Sequence, residues 1–363
     1  MRIGVLGAGQ LGRMLALAGY PLGVHCVFLD RNSDAPTAGL GRLMVGGFDQ
    51  PERLAELAGE VEVLTFDVEN VPAAALRAAG VEPLCRPGLL ALETAQDRLA
   101  EKRCFESLEI EVAPYRTVDS AADLQAALKT VGYPAVLKTR RLGYDGRGQR
   151  FIHHPEQAAA ALRELGGIDL ILEGFVPFER EVSLLGVRSP RGAMAFYPLS
   201  ENHHAQGILR LSRSPAPNSA LAETAREKVE RLLVHFDYAG VLAVEFFESE
   251  GRLIANEMAP RVHNSGHWSI EGAVTSQFEN HIRAILDLPL GRTDALGSSA
   301  MVNLIGEIPA LGDLLAIPGL HLHTYDKAAR ERRKLGHATL VAPDDQSLEI
   351  PLKQLLRLTA GQR

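Results

Sequence analysis

The spacing of apolar positions changes character several times along this chain, and each change predicts an element. Residues 1 to about 97 alternate short apolar runs with helical spacing: strands at Ile3–Leu6, Val24–Leu29 and Val61–Phe66, and helices at Leu11–Ala18 and Pro51–Ala58. Such a βαβ series implies a parallel, Rossmann-like sheet over residues 1–97. A helix over Ala95–Leu108 then leads into a second unit, 98–180, with a helix at Ser120–Val131 and strands at Ala135–Lys138, Gln149–Ile152 and Leu170–Glu173. A glycine-rich loop, Arg140–Arg147, separates the first two of those strands, and a helix over Pro155–Leu165 precedes the last. From Glu181 the pattern is mainly strands, with helices at Ser219–His235 and near Thr275–Leu286. The tail, Met301 to about Gly361, reads as strands around a basic loop closed by one helix, which makes 181–363 a mixed α+β lobe with a small basic subdomain.

Within that lobe the sharpest local pattern is a hairpin. Val241–Phe247 is rich in β-branched and aromatic residues, Ser249-Glu250-Gly251 supplies a turn, and Leu253–Met258 returns. Strict alternation puts Glu245 on a face with Ala243 and Phe247, and Glu257 on a face with Ala255, so both carboxylates are able to point the same way. Two converging acids in an apolar strand pair repel, and a shared divalent cation relieves this most simply. The ordinary alternative is a half-exposed hairpin with its glutamates in water. The next segment weighs against that: Arg261, His263, Asn264, Ser265 and His267 crowd one short loop. Pro260 and Gly266 disfavour a helix there, so His263 and His267 make a poor zinc pair, and the loop reads better as an anion site beside a metal.

Bulk properties narrow the class. The 363 residues are 46% apolar and 23% charged, which excludes a disordered chain and allows two or three domains. The formal net charge of −7 gives a nucleic-acid partner no electrostatic footprint. Cys26, Cys85 and Cys104 are too few and too scattered for a disulfide framework or a zinc spacing, as expected in a reducing cytoplasm. Met1–Leu6 reads as a strand entering glycines rather than a signal peptide, and no run approaches a membrane span.

Four further motifs carry chemistry. Gly7-Ala8-Gly9-Gln10-Leu11-Gly12 followed by Asp30 is the dinucleotide fingerprint, and more generally a helix N-terminus fit for any phosphate ester. Lys138 precedes the flap Gly143-Tyr144-Asp145-Gly146-Arg147-Gly148-Gln149, which lacks Walker spacing but sets Lys138 and Arg147 against phosphate oxygens. Arg140 and Arg141 are expected in solvent. The strand end Glu173-Gly174-Phe175-Val176, with Glu181 beyond it, is suited to an adenine edge and ribose hydroxyls. In the basic cluster Lys327, Arg330, Arg332, Arg333 and Lys334, one or two members are expected to reach a substrate and the rest to form a solvated face.

The order Lys138, glycine flap, Glu173 strand, Glu245 and Asn256-Glu257 resembles the ATP-grasp fold, in which two α+β lobes hold ATP between them. Over nearly the whole chain, Gly7–Leu15, Gly143–Gln149, Gly207-Ile208-Leu209-Arg210 and Ala259–Trp268 resemble the 5-(carboxyamino)imidazole ribonucleotide synthases of purine biosynthesis. That resemblance implies a ligase joining ATP, bicarbonate and 5-aminoimidazole ribonucleotide with release of ADP and phosphate, using two magnesium ions (manganese as a substitute), in a homodimer. It implies ATP contacts from Arg98, Lys138, Gly143, Tyr144, Asp145, Gly146, Arg147, Gly148, Gln149, Glu173, Gly174, Phe175, Val176, Glu181, His204, Asn256 and Glu257, with the metal on Glu245 and Glu257. Gln10 and Leu11 would take the nucleotide 5′-phosphate, completed by Glu69, Tyr144, Asp145, Arg147, Lys327 and Arg333. Arg261, His263, Asn264 and Ser265 would hold bicarbonate and carboxyphosphate, and Asp145 would accept the amine proton.

This chain departs from the family pattern at Asp67, where a glutamate is expected, at Gly174, where glutamine is more usual, and at Glu331-Arg332, in place of Pro-Gly or Lys-Gly. Three rival readings stand beside this one: a formate-dependent glycinamide ribonucleotide transformylase, an NAD-dependent oxidoreductase built on the glycine turn and Asp30, and a nucleotide-binding regulator without turnover.

Overall fold

Residues 1–143, 146–217 and 220–361 are described by a computed structural model. The first layer holds β1 (Arg2–Leu6), α1 (Gln10–Gly19), β2 (His25–Asp30), β3 (Gly41–Val45), α2 (Pro51–Ala58) and β4 (Val63–Phe66), followed by α3 (Ala73–Ala78) and α4 (Leu89–Ala95). Its four strands are parallel in the order β3-β2-β1-β4. The chain reverses its direction of strand addition between β1 and β4, so their carboxyl ends frame a crevice at the switch point. The residues that follow those two strands, Gly7–Gly9 and Asp67, therefore meet.

The predicted helix over Ala95–Leu108 is two helices. α4 stops at Ala95, and α5 (Arg98–Ser107) starts afresh because Asp97 caps it, its Oδ1 accepting from the Leu99 amide at 3.0 Å. Next come β5 (Tyr115–Val118), α6 (Ala121–Val131), β6 (Ala135–Thr139), β7 (Gln149–Ile152), α7 (Ala158–Glu164) and β8 (Leu170–Gly174), an antiparallel sheet in the order β5-β8-β6-β7. The expected start of α7 at Pro155 is a 3-10 turn, Pro155–Gln157, which leads into the helix proper.

The remaining strands form one continuous sheet. β9 (Arg180–Arg188), β10 (Met194–Phe196), β11 (Ser200–Ala205), β12 (Ile208–Ser214), α8 (Ala222–His235), β13 (Gly240–Ser249), β14 (Arg252–Ala259), α9 (Ser269–Gly272), α10 (Gln277–Ile285), β15 (Ser298–Ile305), α11 (Leu311–Leu315), β16 (Leu320–Thr324), β17 (Lys334–Ala342) and α12 (Asp345–Leu358) follow in chain order. The path is β14-β13-β9-β11-β12-β15-β17-β16, with β10 on β9. The start expected for α8, Ser219, lies outside the described residues.

Packing ties these layers together. One apolar cluster runs from Leu11 and Leu15 on α1 through Phe28 to Leu185, Val241, Trp268, Phe278 and Ile282. Each fully buried side chain of this size contributes about 1.5–3 kcal/mol. A polar contact marks the same boundary: His281 on α10 lies between Thr65 of β4 and the Val241 amide.

Candidate active site

The acidic hairpin forms as expected, with one difference that matters. Glu245 and Glu257 are direct cross-strand partners, but Phe246 pairs with Ala255, so Asn256 is an extra residue on β14. This β-bulge breaks the expected alternation: Ala255 turns to the apolar side with Phe246, while Glu257 joins Glu245 on the cleft side. A strict two-residue period could have placed the two acids on one face only by chance of register. Arg98 on α5 donates to Glu257 Oε2 at 3.0 Å. Burial pushes the Glu245 carboxyl up, with Glu257 and Glu181 adding to it against His204. Burial acts the same way on Glu257, but Arg98 and Lys138 together outweigh it and hold that carboxyl down.

Behind the hairpin lies a line of buried charge. Lys138, at the end of β6, donates to Glu173 Oε2 at 3.0 Å, and Lys102 on α5 reaches the same oxygen at 3.5 Å. Burial opposes the charge on Glu173, yet Lys102, Lys138 and Arg98 bring its carboxyl to about 2. At the strand end, the Gly174 amide donates to Pro114 O at 2.8 Å and the Phe175 amide to Pro134 O at 3.1 Å. Those donors are spent on the fold, which leaves Val176 as the first amide past the strand that no backbone carbonyl among the described residues takes. His204 Nδ1 lies 2.8 Å from Glu181 Oε2; burial disfavours its charge, but Glu181 and Glu245 outweigh burial and raise it.

The loop after β14 makes a single 3-10 turn at Asn264–Gly266 and is held from several sides. Gln277 donates to His263 O at 2.7 Å and accepts from the His263 amide at 2.9 Å. Asn264 and Asn303 exchange side-chain amide bonds of 3.1 and 2.7 Å. Trp268 is fully buried, its indole donating to Ser200 Oγ at 3.0 Å. Arg261 forms an ion pair with Glu69, and its guanidinium also donates to Val262 O at 2.8 Å.

His263 is oriented by a directional chain. Ser212 Oγ donates to Asn202 Oδ1 at 2.7 Å, Asn202 donates to Ser183 Oγ at 2.9 Å, and Ser183 donates to Ser265 Oγ at 2.8 Å. Ser265 Oγ lies 2.9 Å from His263 Nδ1, and the Ser265 amide also donates to that nitrogen at 3.3 Å. Nδ1 is therefore an acceptor, and Nε2 carries the proton, 3.8 Å from Glu245 Oε1. Burial keeps the ring neutral, far below its usual range. Ser265 itself is fully buried and stands behind His263 rather than facing the cleft. His267 is also buried, against Gln277 and beside His337, at the inner wall of the cavity.

The glycine turn has a different use from the dinucleotide reading. Asp67 accepts from the Gly9 amide and, at 3.1 Å, from the Gly12 amide. A Cβ on Gly9 would fall 2.7 Å from Asp67 Oδ2, so the close approach requires glycine. Asp30 accepts from the Ala8 amide at 2.9 Å and the Asn32 amide at 2.8 Å, so its carboxylate stabilises the turn. With Gly9 and Gly12 taken, Gln10 and Leu11 supply the other first-turn amides of α1, which have no partner among the described residues.

The glycine turn, the loop after β14, Arg98 and Glu257 line one cavity of about 520 Å³. Its wall includes Gln10, Leu11, Glu69, Arg98, Gly143, Arg147, Glu257, Arg261, His263 and Asn264. Lys327, Arg330, Arg332, Arg333 and Lys334 all line it, on the loop before β17 and at the start of that strand. Lys327 contacts Gln10, and Arg332 donates to Gln206 O at 3.1 Å. Gly146 of the flap approaches the same Gln206–Gly207 turn so closely that a Cβ would lie 3.0 Å from Gln206 O. Lys138, Glu173–Val176, Glu181, Glu245 and His204 lie outside that wall, on the hairpin side of the site. Tyr144 and Asp145 fall outside the described residues.

Arg140 and Arg141 are not simply solvated. Both hold Asp97, at 2.5 and 3.2 Å, and thereby tie the base of the flap to the start of α5. Sequence reasoning also passed over Lys102, Glu101 and the role of Asp67. The available signal was the spacing of Arg98, Glu101 and Lys102, which share one helical face.

The donor set suits a hard cation. Glu245 and Glu257 offer carboxylate oxygens on the cleft side, and Asn256 Oδ1 is buried without a hydrogen-bond partner. No group of three or more His, Cys, Asp or Glu side chains able to hold a metal occurs among the described residues. Two carboxylates beside a carboxamide oxygen are a donor set that fits magnesium, which binds through one or two carboxylates and takes its other oxygens from substrate phosphates.

Two α+β lobes around this cleft, with a basic strand end facing a paired-acid hairpin, define an ATP-grasp protein, and the ATP-grasp domain model matches residues 103–278. The ribonucleotide synthetase preATP-grasp domain matches 1–96, and the phosphoribosylaminoimidazole carboxylase C-terminal domain matches 299–350. The N5-carboxyaminoimidazole ribonucleotide synthase of Pseudomonas aeruginosa is 50% identical over 98% of this chain and 98% of its own length. The crystal structure of the N5-carboxyaminoimidazole ribonucleotide synthetase from Thermus thermophilus shares 52% identity, covers 99% of this chain and 98% of that chain, and gives a TM-score of 0.94. An Aspergillus clavatus synthase in complex with ADP and 5-aminoimidazole ribonucleotide aligns at 32% identity and TM-score 0.91 over 99% of this chain and 98% of that one. The chain belongs to the N5-carboxyaminoimidazole ribonucleotide synthase family.

Proposed function

We infer that this protein carboxylates 5-aminoimidazole ribonucleotide with bicarbonate at the expense of ATP, releasing ADP and phosphate, as a carbon–nitrogen ligase of purine biosynthesis. The observation that carries this reading is the single cavity joining the Gln10–Leu11 amides and the basic tail to Arg98, Glu257 and the Arg261–Asn264 loop. A phosphorylated nucleotide at one end and an ATP γ-phosphate at the other would meet at that loop. The Rossmann geometry that suggested NAD is taken up by Asp67 and Asp30.

The roles follow from charge. Lys138, Arg98 and the flap from Gly143 to Gln149 bind the ATP phosphates, Val176 meets the adenine edge beside Glu173, Gly174 and Phe175, and Glu181 with His204 takes the ribose side. Magnesium, held by Glu245 and Glu257 beside Asn256, supplies charge neutralisation for the phosphate oxygens. Arg261, His263 and Asn264 hold bicarbonate, Ser265 fixing His263 from behind. One bicarbonate oxygen attacks the γ-phosphorus, the bond to the ADP oxygen breaks, and carboxyphosphate forms. The exocyclic amine nitrogen then bonds to the carboxyl carbon, either of carboxyphosphate directly or of the carbon dioxide it yields in the closed pocket; phosphate leaves by the same C–O cleavage, and Asp145 accepts the amine proton. Gln10, Leu11, Glu69, Tyr144, Asp145, Arg147, Lys327 and Arg333 hold the ribonucleotide.

The division at 1–97, 98–180 and 181–363, a homodimeric state and a cytoplasmic location belong to the same proposal. No helix among the described residues is long and apolar enough to cross a membrane. The test is ADP release with each substrate omitted in turn. Release is expected to depend on both bicarbonate and the aminoimidazole nucleotide, and Glu257→Gln is expected to lower it roughly a hundredfold. Dependence on formate and glycinamide ribonucleotide instead, or full activity in the variant, would overturn the reading.

A further inference from the structure

Helix α5 presents three charged side chains, Arg98, Glu101 and Lys102, at positions i, i+3 and i+4, and all three engage consecutive residues of the edge strand β14. Lys102, only 1% exposed, donates to Ala255 O at 3.3 Å and to Asn256 O at 2.9 Å. Arg98 donates to Glu257 at 3.0 Å, and Glu101 accepts from the Met258 amide at 2.7 Å. The contacts thus span Ala255 to Met258, the four residues that contain the bulge.

An extra residue in a strand leaves backbone groups without ladder partners, and buried groups of that kind are costly. Here the ammonium of Lys102 takes the Ala255 and Asn256 carbonyls, and the Glu101 carboxyl oxygen takes the Met258 amide. Without the bulge, the alternation that buries Ala255 with Phe246 would carry Glu257 out of its pairing with Glu245. We propose that Lys102 and Glu101 are positioning residues that hold the Asn256 bulge and so set Glu257 opposite Glu245 for the metal. The proposal rests on the assignment of the cation to that pair. It also links two places in the site, because the α5 cap, Asp97, is gripped by Arg140 and Arg141 at the base of the flap, and the Arg98 amide donates to Arg140 O at 3.0 Å.

The experiment is Mn²⁺ binding, followed by electron paramagnetic resonance, to the full chain with a non-hydrolysable ATP analogue, alongside thermal unfolding. Lys102→Met keeps an unbranched side chain only one atom shorter and removes its donors. It is expected to weaken Mn²⁺ binding about 10- to 100-fold, as loss of a group behind a metal ligand does, with the analogue still bound. Glu101→Leu, which removes the acceptor for Met258 and keeps side-chain bulk, is expected to weaken Mn²⁺ binding in the same direction and serves if Lys102→Met does not fold. Folded variants with unchanged Mn²⁺ affinity would overturn the proposal. If Glu257→Gln itself leaves Mn²⁺ binding unchanged, the metal assignment fails. If that variant loses the ion while Lys102→Met and Glu101→Leu keep it, the positioning role alone fails.

Discussion

A neutral histidine with one tautomer is what the His263 environment produces, and the residues responsible stand outside the cavity. Ser212, Asn202, Ser183 and Ser265 are all buried and pass hydrogen bonds in one direction to His263 Nδ1. A fully satisfied buried network of this kind locks a rotamer as well as a proton position. Ser265→Ala would remove the last hydroxyl and leave Ser183 without its acceptor. It is expected to cost about 1–3 kcal/mol of stability and to lower kcat roughly tenfold with little change in the KM for ATP. Steady-state kinetics with thermal unfolding would check this, and an unchanged kcat would show that His263 needs no such support. The sequence showed His263, Asn264 and Ser265 side by side, but not that Ser265 turns away from the cavity. Adjacency in a loop says little about direction, since each side chain follows its own backbone dihedrals.

At the scale of elements, the loop from Ala259 to Trp268 owes its shape to close contacts made by a single glycine. A Cβ on Gly266 would sit 2.3 Å from Leu185 Cδ2 and 2.9 Å from Gln277, the residue that bonds His263 on both its backbone groups. Gly266→Ala is expected to destabilise the protein by about 1–3 kcal/mol through overpacking and to reduce ADP release more than its shift in unfolding temperature would suggest. A variant with lost stability but full activity per folded molecule would contradict that. The hairpin and its turn were legible from residue types, because β-branched runs and a glycine turn act locally. The bulge at Asn256 was not, because its cause lies on α5, far away in the chain. The break between α4 and α5 was missed for a related reason: periodicity continues across Gln96-Asp97, and only the cap made by Asp97, fastened by Arg140 and Arg141, interrupts it.

For the whole molecule, the contact between the first sheet and the large lobe passes through His281. The Val241 amide donates to Nδ1 at 3.1 Å, so Nε2 carries the proton and donates to Thr65 Oγ1 at 2.8 Å. Burial lowers this imidazole to about 3. Below its ordinary value near 6.5 the unfolded chain binds a proton that the folded protein refuses, so stability is present above that pH and is lost as pH falls towards about 3. The expected slope from this one group is up to about 1.4 kcal/mol per pH unit across that window. Denaturant unfolding of wild type and His281→Gln at neutral pH and near pH 5 would test it. The variant is expected to be less stable at neutral pH and to lose less on acidification; parallel losses would assign the acid sensitivity elsewhere.

By itself the sequence determined the layers and the kinds of chemistry: a parallel sheet entering a glycine turn, a second unit of helices and strands with a glycine flap, and an acidic hairpin running into a guanidinium–imidazole–amide loop. These are legible because strand and helix periods, turn residues and caps are short-range effects. Only the tertiary structure decided how those charges are shared. Asp67 crosses from β4 to occupy the Gly9 and Gly12 amides, leaving Gln10 and Leu11 for a ligand, and the basic tail folds back from more than 300 residues away to close the same cavity. Lys102 and Glu101, which look like an ordinary solvated helix face, are buried against β14, where the unpaired backbone of a bulge needs them. Burial turns such charges from surface decoration into the supports of a site, and burial is a property of the folded chain alone.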